Sequence, residues 1–564
     1  MVGLSGICHC QVSDFSINKQ NTHGSSGNHM RDQIPNPTPL NFLGLKESLL
    51  PSCKIRMCTF RPDMRGTGDS EGLYFDEYES QEQQDAMEII EWISNQSWSN
   101  GRVGMYGKSW GGFNGLQVAF HQPPALKAVI SLYSTDNRYT DDIHWKGGSL
   151  VASQMLSWAS IMFAWNARPP HPESYAGTDW KETWKTRLEK ASRPWTKIWM
   201  EHQTYDDYWK QGSIQEKYSQ VQIPILAIGG WHDMYSNAVF RLVENLPNCR
   251  GIIGPWSHDW PDVSTPGPQI GFMSECLDFW NHHLKDGHGQ PSEKQVKAPK
   301  LIWYQCQGSL SPIPHIKTWP GKWCATRSQN TQSDAVFKYY LNEGHLLDQQ
   351  DFCGTQKEWK IEYDPNSGWT SGEMLSFGGP DLPAEQSYFN SPRTTWKSQR
   401  LQRDLDLFGF PEFNCQFQIH NDTQGALIVK LCDEFPDGQT RLISFGVMNL
   451  THYKSHEKPE QLRTGTWYDL RIQLDALGYE MLQGHKIVLH ICCSYWPMIW
   501  TPRRETSLRI RGAHLSLPIL QDLPEASPDI LCSEPYFGPA LDVEEIEKSS
   551  YSRWLNYGLS TNVS

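Results

Sequence analysis

A glycine-flanked serine between a strand pattern and a helix pattern constrains the fold of this chain more than any other feature. Residues 103–120 read VGMYGKSWGGFNGLQVAF, an apolar β-type run followed by Ser109 and a helix-compatible segment. Gly107 to Gly111 fit the pattern G-x-S-x-G, in which a sharp turn exposes the serine hydroxyl above a sheet. A pattern this short also arises by chance, so Ser109 is either a nucleophile or a serine in a tight turn.

The segments around this turn alternate between strand and helix patterns. CKIRMCTF (53–60) predicts a strand, and a glycine-rich turn, DMRGTGDSEG (63–72), follows it. Residues 80–96 carry apolar side chains at spacings of three and four, which predicts an amphipathic helix. LKAVISLYS (126–134) predicts a further strand. This alternation indicates an α/β fold with a parallel sheet.

Later changes in the pattern divide the chain into six parts. After about residue 140 the β-type runs give way to a tryptophan-rich helical insertion, and beyond about 325 short alternating segments predict a β-sandwich. The predicted parts are 1–52 (irregular or disordered), 53–139 (first part of the α/β core), 140–218 (helical cap), 219–325 (second part of the core), 326–524 (β-sandwich) and 525–564 (tail).

Two later strand patterns end in residues that could activate a serine. IPILAIGGWHDMYSN carries Asp233 just past its strand, and GIIGPWSHDWP carries His258 just past the next. A serine hydroxyl needs a histidine to take its proton and a carboxylate to orient that histidine, and on such a sheet they follow in the order Ser, Asp, His. The alternatives are a turn-forming Asp233 and a structural His258, and the neighbours His232 and Asp259 compete for the same roles.

Composition excludes several other classes of protein. The net charge is −13 and there is no basic stripe, which argues against nucleic acid or an anionic membrane as partner. The absence of a signal-like start or a long apolar run predicts a cytoplasmic protein without a membrane span. The 14 cysteines lack metal-type spacing, so we expect free thiols and no metal site. Most of the 25 tryptophans are expected in the core.

Four ordered motifs, DMRGTGDSEG, GKSWGGFNGLQVA, GGWHDMYSN and GPWSHDW, resemble the X-prolyl dipeptidyl-peptidase and cocaine esterase family of serine hydrolases. The resemblance implies an α/β-hydrolase core, a helical cap and an all-β jelly-roll (galactose-binding-like) domain. Carried over by motif, it implies Ser109 as nucleophile, Asp233 as acid, His258 as base and the backbone N–H of Trp110 as an oxyanion donor. It also implies a small-molecule ester or peptide substrate, with no metal or organic cofactor.

The same resemblance suggests which side chains bind the acyl group. We expect the segment 140–215 to cap the triad, with Trp158 and Tyr235 forming the acyl pocket. Tyr235 lies two residues past the proposed acid. The family fixes the reaction type better than the substrate, so the acyl and leaving groups stay open.

The chain departs from the family before the DMRGTGDSEG turn. Relatives have several strands there and a tyrosine-bearing loop that supplies a second oxyanion donor, whereas this chain has one strand pattern and no tyrosine in residues 1–52. An unpaired gap is therefore expected beside the strand that precedes Ser109. These observations predict an N-terminally truncated chain with weak or no hydrolysis. The alternatives are a catalytically impaired binding protein and a nonfunctional fragment.

Overall fold

A computed structural model describes most of the chain. The described residues are 5–10 and 57–531, except 174, 176–178, 192, 286–297, 332, 334, 350, 353–356, 525 and 527–529. The expectation of an irregular segment over 11–52 and most of the predicted tail therefore lie outside the described residues.

The first half of the chain alternates strands and helices. In chain order, the strands are β1 (Ser5–Cys10), β2 (Met57–Phe60), β3 (Ser99–Lys108), β4 (Leu126–Leu132), β5 (Trp145–Lys146), β6 (Ser149–Leu150), β7 (Ile225–Gly230), β8 (Cys249–Gly254), β9 (Leu301–Gln307) and β10 (Gly321–Thr326). The helices are α1 (Ser80–Ser94), α2 (Trp110–His121), α3 (Ala152–Asn166), α4 (Trp180–Lys190), α5 (Trp195–Glu201), α6 (Asp207–Lys210), α7 (Ser236–Asn245) and α8 (Phe272–Leu284).

The core sheet runs in the order β2-β1-β3-β4-β7-β8-β9-β10, and the five strands from β3 to β9 in this order are parallel. Strands β4 and β7 are buried almost throughout, as expected for a sheet with helices on both faces. The carboxyl ends of β3, β7 and β8 therefore lie at one edge, which is where ligands bind in open α/β sheets.

The strand β1 corrects two expectations from the sequence. Ser5–Cys10 forms a strand although it was predicted to be irregular, and it pairs antiparallel with both β2 and β3. It therefore occupies the position beside β3 where an unpaired gap was expected. Residues 5–10 are far from β2 and β3 in the sequence, so no local pattern predicts this pairing.

The insertion between β4 and β7 is mainly helical, as the sequence predicts. It contains α3 to α6, but it begins with the short hairpin β5–β6, which the sequence did not indicate. Its helices pack on the core through tryptophans, since Trp195 contacts both Tyr74 and Trp110.

The second half of the chain is almost entirely β-structure. Its strands are β11 (Ala335–Asn342), β12 (His345–Asp348), β13 (Glu358–Ile361), β14 (Thr395–Lys397), β15 (Leu405–Gly409), β16 (Glu412–Ile419), β17 (Ala426–Glu434), β18 (Thr440–Asn449), β19 (Trp467–Gln473), β20 (Leu477–Met481), β21 (Lys486–Cys492) and β22 (Leu508–Ile519). One group of antiparallel strands centres on β16 and β22 and another on β17 and β21. Side chains of both groups, such as Phe417 and Val429, share one apolar core, as in a sandwich.

Three further features concern the ends of the described region and its cysteines. In the predicted tail, Ala526 donates a backbone hydrogen bond to Trp323 and Leu531 is buried against the core.

Cys58 is disulfide-bonded, contrary to the expectation of free thiols throughout, whereas eight other described cysteines form no disulfide and are buried. Within the described residues, no helix combines the length and the apolar character that crossing a membrane requires.

Candidate active site

Ser109 lies in a strained turn between β3 and α2. Its backbone has φ 58° and ψ −123°, a conformation that is costly for any residue other than glycine and is characteristic of serine nucleophile turns. Close backbone approach explains the first glycine of the motif, because a Cβ on Gly107 would lie 2.5 Å from the carbonyl carbon of Gly111. The structure thus has the geometry of a nucleophile turn rather than of an ordinary tight turn.

Asp233 and His258 follow β7 and β8 and contact each other. Both are buried, and a hydrogen bond joins His258 Nδ1 to a carboxylate oxygen of Asp233. The other oxygen of Asp233 accepts the backbone N–H of Tyr235 at 2.7 Å. The His258 backbone N–H donates to the carbonyl of Ser376 at 2.7 Å. Both side chains are therefore fixed in orientation, and Nε2 of His258 faces away from the carboxylate.

The two competing residues lie elsewhere. Asp259 has a side chain that is 39% exposed, and its carboxylate lies 3.7 Å from the Lys108 ammonium. His232 stacks on Trp319, with 4.9 Å between ring centroids. The hydrogen-bonded carboxylate and imidazole are therefore those of the two residues that the strand-end pattern favoured.

Backbone contacts bring Ser109 and His258 to the same edge of the sheet. The Ser109 N–H donates to the carbonyl of Leu132 at 2.9 Å, and the next residue, Tyr133, packs its ring 5.5 Å from that of His258. The direct contact between Ser109 Oγ and His258 Nε2 stays a prediction.

Trp110 begins α2, so its backbone N–H is among the first-turn groups that have no acceptor within the helix. Its indole is buried and donates from Nε1 to Glu82 at 2.6 Å. Burial raises the pKa of Glu82 from its ordinary 4.5 to about 7, although hydrogen bonds from Trp110 and Asn114 oppose this shift. The side chain thus ties α2 to α1 while the backbone N–H remains available near Ser109.

Three aromatic side chains lie close to these residues. The Tyr235 ring is 6.0 Å from the His258 ring, and the Trp158 ring is 6.1 Å from that of Trp110. Phe377, from the β domain, contacts His258 edge-on at 5.5 Å and is 62% exposed. No sequence pattern indicates Phe377, because it lies in a loop with no periodic pattern and reaches the site only through domain packing.

A buried ion-pair cluster connects two of these aromatic residues. His144 Nε2 lies 2.8 Å from Glu77 and its Nδ1 lies 3.3 Å from Asp142. The Tyr235 hydroxyl donates to Asp142 at 3.0 Å, and Trp158 Nε1 donates to Glu77 at 3.3 Å. The cluster therefore supports both side chains that were expected to form the acyl pocket.

Among the described residues, Glu77, Asp142 and His144 also form the one group close enough together to hold a metal ion. His144 lies between the two carboxylates, and Arg138 is 3.8 Å from Glu77. Burial opposes the charge on His144, but the two carboxylates prevail and raise its pKa from 6.5 to about 9. A protonated imidazole is a poor metal ligand, so we interpret the group as an ion-pair cluster.

We expect the charge on His144 to make folding stability depend on pH. Because its pKa is raised in the folded state, its stabilisation is complete below about pH 6.5 and is lost as the pH rises toward 9. A shift of this size corresponds to about 3 kcal/mol. Urea unfolding between these pH values should therefore show a steeper loss of stability in the wild type than in His144→Gln. Parallel profiles would contradict this, and His345→Gln on the exposed strand β12 is the control.

Comparison with known proteins identifies the family. The family described as X-Pro dipeptidyl-peptidase (S15 family) matches residues 60–260, and the X-Pro dipeptidyl-peptidase C-terminal non-catalytic domain matches residues 296–527. A cocaine esterase from Rhodococcus sp. (strain MB1 Bresler) is 22% identical in an alignment of 475 residues that covers 77% of this chain and 80% of that protein.

Solved structures show the same fold. An aminopeptidase from a marine sediment Thaumarchaeota archaeon has a TM-score of 0.63 and 17% identity, covering 82% of this chain and 85% of that one. A CocE/NonD family hydrolase from Staphylococcus aureus has a TM-score of 0.62 and 16% identity, covering 83% and 80%. The two family matches and the folds of these solved structures agree with the four sequence motifs and with the geometry around Ser109. This chain belongs to the X-Pro dipeptidyl-peptidase (S15) and cocaine esterase family of serine hydrolases.

Proposed function

We propose that this chain hydrolyses an ester or amide bond of a small molecule or short peptide through an acyl-enzyme on Ser109. The observation that carries the proposal is the hydrogen-bonded Asp233–His258 pair at the edge of the sheet where the Ser109 turn lies. A strained serine turn beside an oriented histidine is the arrangement that nucleophilic catalysis by serine requires.

In the acylation step, Ser109 Oγ attacks the substrate carbonyl and His258 Nε2 takes the serine proton. Asp233 holds the Nδ1–H of the resulting imidazolium. The backbone N–H of Trp110 donates to the oxyanion of the tetrahedral intermediate. When that intermediate collapses, His258 gives its proton to the leaving alcohol or amine, and Ser109 keeps the acyl group.

Water then completes the reaction. His258 removes a proton from the water as it attacks the acyl carbonyl, and it returns that proton to Ser109 Oγ when the ester bond to the enzyme breaks. The products are a carboxylic acid and the free enzyme. The proposed reaction uses the side chains of Ser109, His258 and Asp233, the backbone N–H of Trp110 and water.

Substrate selection is proposed to depend on Trp158, Tyr235 and Phe377. The contacts of Tyr235 and Phe377 with the His258 ring support a pocket for an apolar acyl or acyl-proximal group. Phe377 belongs to the β domain, for which we propose a jelly-roll topology, so that domain would contribute to specificity. We also propose a cytoplasmic location, which the eight buried cysteines without a disulfide support and the disulfide of Cys58 opposes, since thiols persist in reducing compartments.

Labelling with a fluorophosphonate probe tests the proposal, because such probes react with activated serines. The wild type should label, and mass spectrometry should locate the adduct on the peptide that contains Ser109. Ser94→Ala, at the exposed end of α1, should label like the wild type. A folded protein that does not label would instead favour the catalytically impaired binding protein, and an adduct on another serine would contradict the assignment of Ser109.

A further inference from the structure

A second cavity lies between the hydrolase core and the β domain. Its volume is about 130 Å³, and it is open to solvent on one side. Residues 231–234 line it together with Trp319 and Arg441, whereas Ser109 and His258 do not. Tyr235, between lining residues of the same loop, packs against His258 instead. The loop after β7 therefore separates this cavity from the catalytic serine.

The cavity is lined by a buried cation, Arg441, which forms no direct ion pair among the described residues but feels the charge of the buried Asp433 from farther away. Arg441 is 3% exposed, and its Nη2 donates to two backbone carbonyls, those of Leu310 and Ser311. Within the described part of the chain, no carboxylate lies within ion-pair distance of its guanidinium. The other lining cation, Lys146, pairs with Asp475 at 2.5 Å. Buried charges in proteins are ordinarily paired, so the Arg441 guanidinium has unused capacity for an anion.

The acidic residues that line the cavity are already engaged by other groups. Asp233 binds His258, and Asp475 accepts from Lys146 and Asn237. Glu373 accepts a hydrogen bond from the Gln154 amide at 3.2 Å, and burial raises its pKa above the ordinary value. These carboxylates therefore do not neutralise Arg441.

Further lining residues carry polar atoms without partners. The Tyr495 and Ser371 hydroxyls are buried and interact with each other, whereas His232 Nε2 and Arg441 Nε are buried and have no hydrogen-bond partner among the described residues. Burial and the charge of Arg441 lower the pKa of His232 to about 3, so this imidazole is neutral. Unsatisfied buried polar atoms are rare in native proteins, and two around one cavity point to a bound polar group.

The remaining lining is apolar and aromatic. The Arg441 guanidinium lies 4.6 Å from the centre of the Trp319 ring, and the His232 ring stacks on the same tryptophan. Met374 and Met498 add flexible apolar surface. An apolar ligand body would fit against these side chains, with a polar end toward the guanidinium.

We propose that this cavity binds a small organic carboxylate, whose charge pairs with Arg441 and whose apolar body lies against Trp319. The hydroxyls of Ser371 and Tyr495 are placed to donate further hydrogen bonds. Asp233 lines this cavity as well, but Ser109 and His258 do not, and ligand binding here does not depend on Ser109 being the nucleophile.

Isothermal titration of the full chain with benzoate, and with benzamide as its neutral analogue, tests the proposal. Benzoate should bind saturably, and benzamide at least about tenfold more weakly, because it cannot form the ion pair. Arg441→Met should weaken benzoate binding by a similar factor. Arg187→Met is the matched control, since Arg187 is likewise buried, donates to backbone carbonyls and has an unpartnered Nε, but does not line the cavity.

A second variant tests the proposal if Arg441→Met fails to fold. Because the Tyr495 and Ser371 hydroxyls interact with each other, the double variant Tyr495→Phe with Ser371→Ala removes both groups and leaves neither unsatisfied, so it should fold normally and still bind benzoate more weakly than the wild type. The proposal is overturned by no saturable benzoate binding at millimolar concentrations, by equal binding of benzamide, or by unchanged benzoate binding in folded Arg441→Met or in the double variant.

Discussion

The variant Ser109→Ala is expected to lower kcat for p-nitrophenyl ester hydrolysis by about 10⁴ to 10⁶, the range seen when a serine nucleophile is removed. The loss follows from the chemistry, since no other group at the turn can form the acyl-enzyme. The fold should be unaffected, because Ser109 is only partly buried and its structural contacts run through its backbone. Thermal melting should therefore match that of the wild type while turnover disappears.

The control for this prediction is Ser94→Ala, which removes a hydroxyl bonded to the carbonyl of Glu91 on the exposed end of α1. It should keep turnover close to that of the wild type, as most surface substitutions do. Retention of most of the activity in a folded Ser109→Ala variant would show that another residue is the nucleophile.

The sequence was sufficient to predict candidate residues at this edge of the sheet because their placement depends on local patterns. In a parallel sheet the residues that follow each strand lie at the same edge. The positions of Ser109, Asp233 and His258 after their strands therefore predict that these three residues lie close together. The strand patterns of the β domain, such as those at 426–434 and 486–492, were also recognisable because apolar side chains recur along buried strands.

Features that depend on distant contacts could not be predicted in this way. The pairing of Ser5–Cys10 joins segments about 50 and 100 residues apart, and six residues without alternation give no signal for it. Phe377 contacts His258 only because the β domain packs on the core. The charge of His144 arises from carboxylates on two different loops, and no residue pattern encodes their meeting.

Replacement of the proposed acid, Asp233, is expected to give the second large loss of activity. Asp233→Asn should lower kcat by about 10⁴ with little change in KM, because a neutral amide, even where its oxygen accepts the Nδ1–H of His258, does not stabilise the imidazolium as a carboxylate does. If the new side-chain amide donates to Nδ1, it also places the imidazole proton on Nε2, where His258 must accept from Ser109. Steady-state kinetics on a p-nitrophenyl ester, with thermal melting to confirm folding, measures the effect.

Asp259→Asn is the matched control, because Asp259 adjoins His258 and was the competing candidate for the same role. Its carboxylate is partly exposed and lies 3.7 Å from Lys108, where solvent screens the charge and an exposed pair contributes little. It should therefore keep kcat near the wild-type value. A loss in Asp259→Asn as large as that in Asp233→Asn would mean that the charge around His258, rather than one oriented carboxylate, sustains the reaction, and a fully active Asp233→Asn would remove the acid from the mechanism.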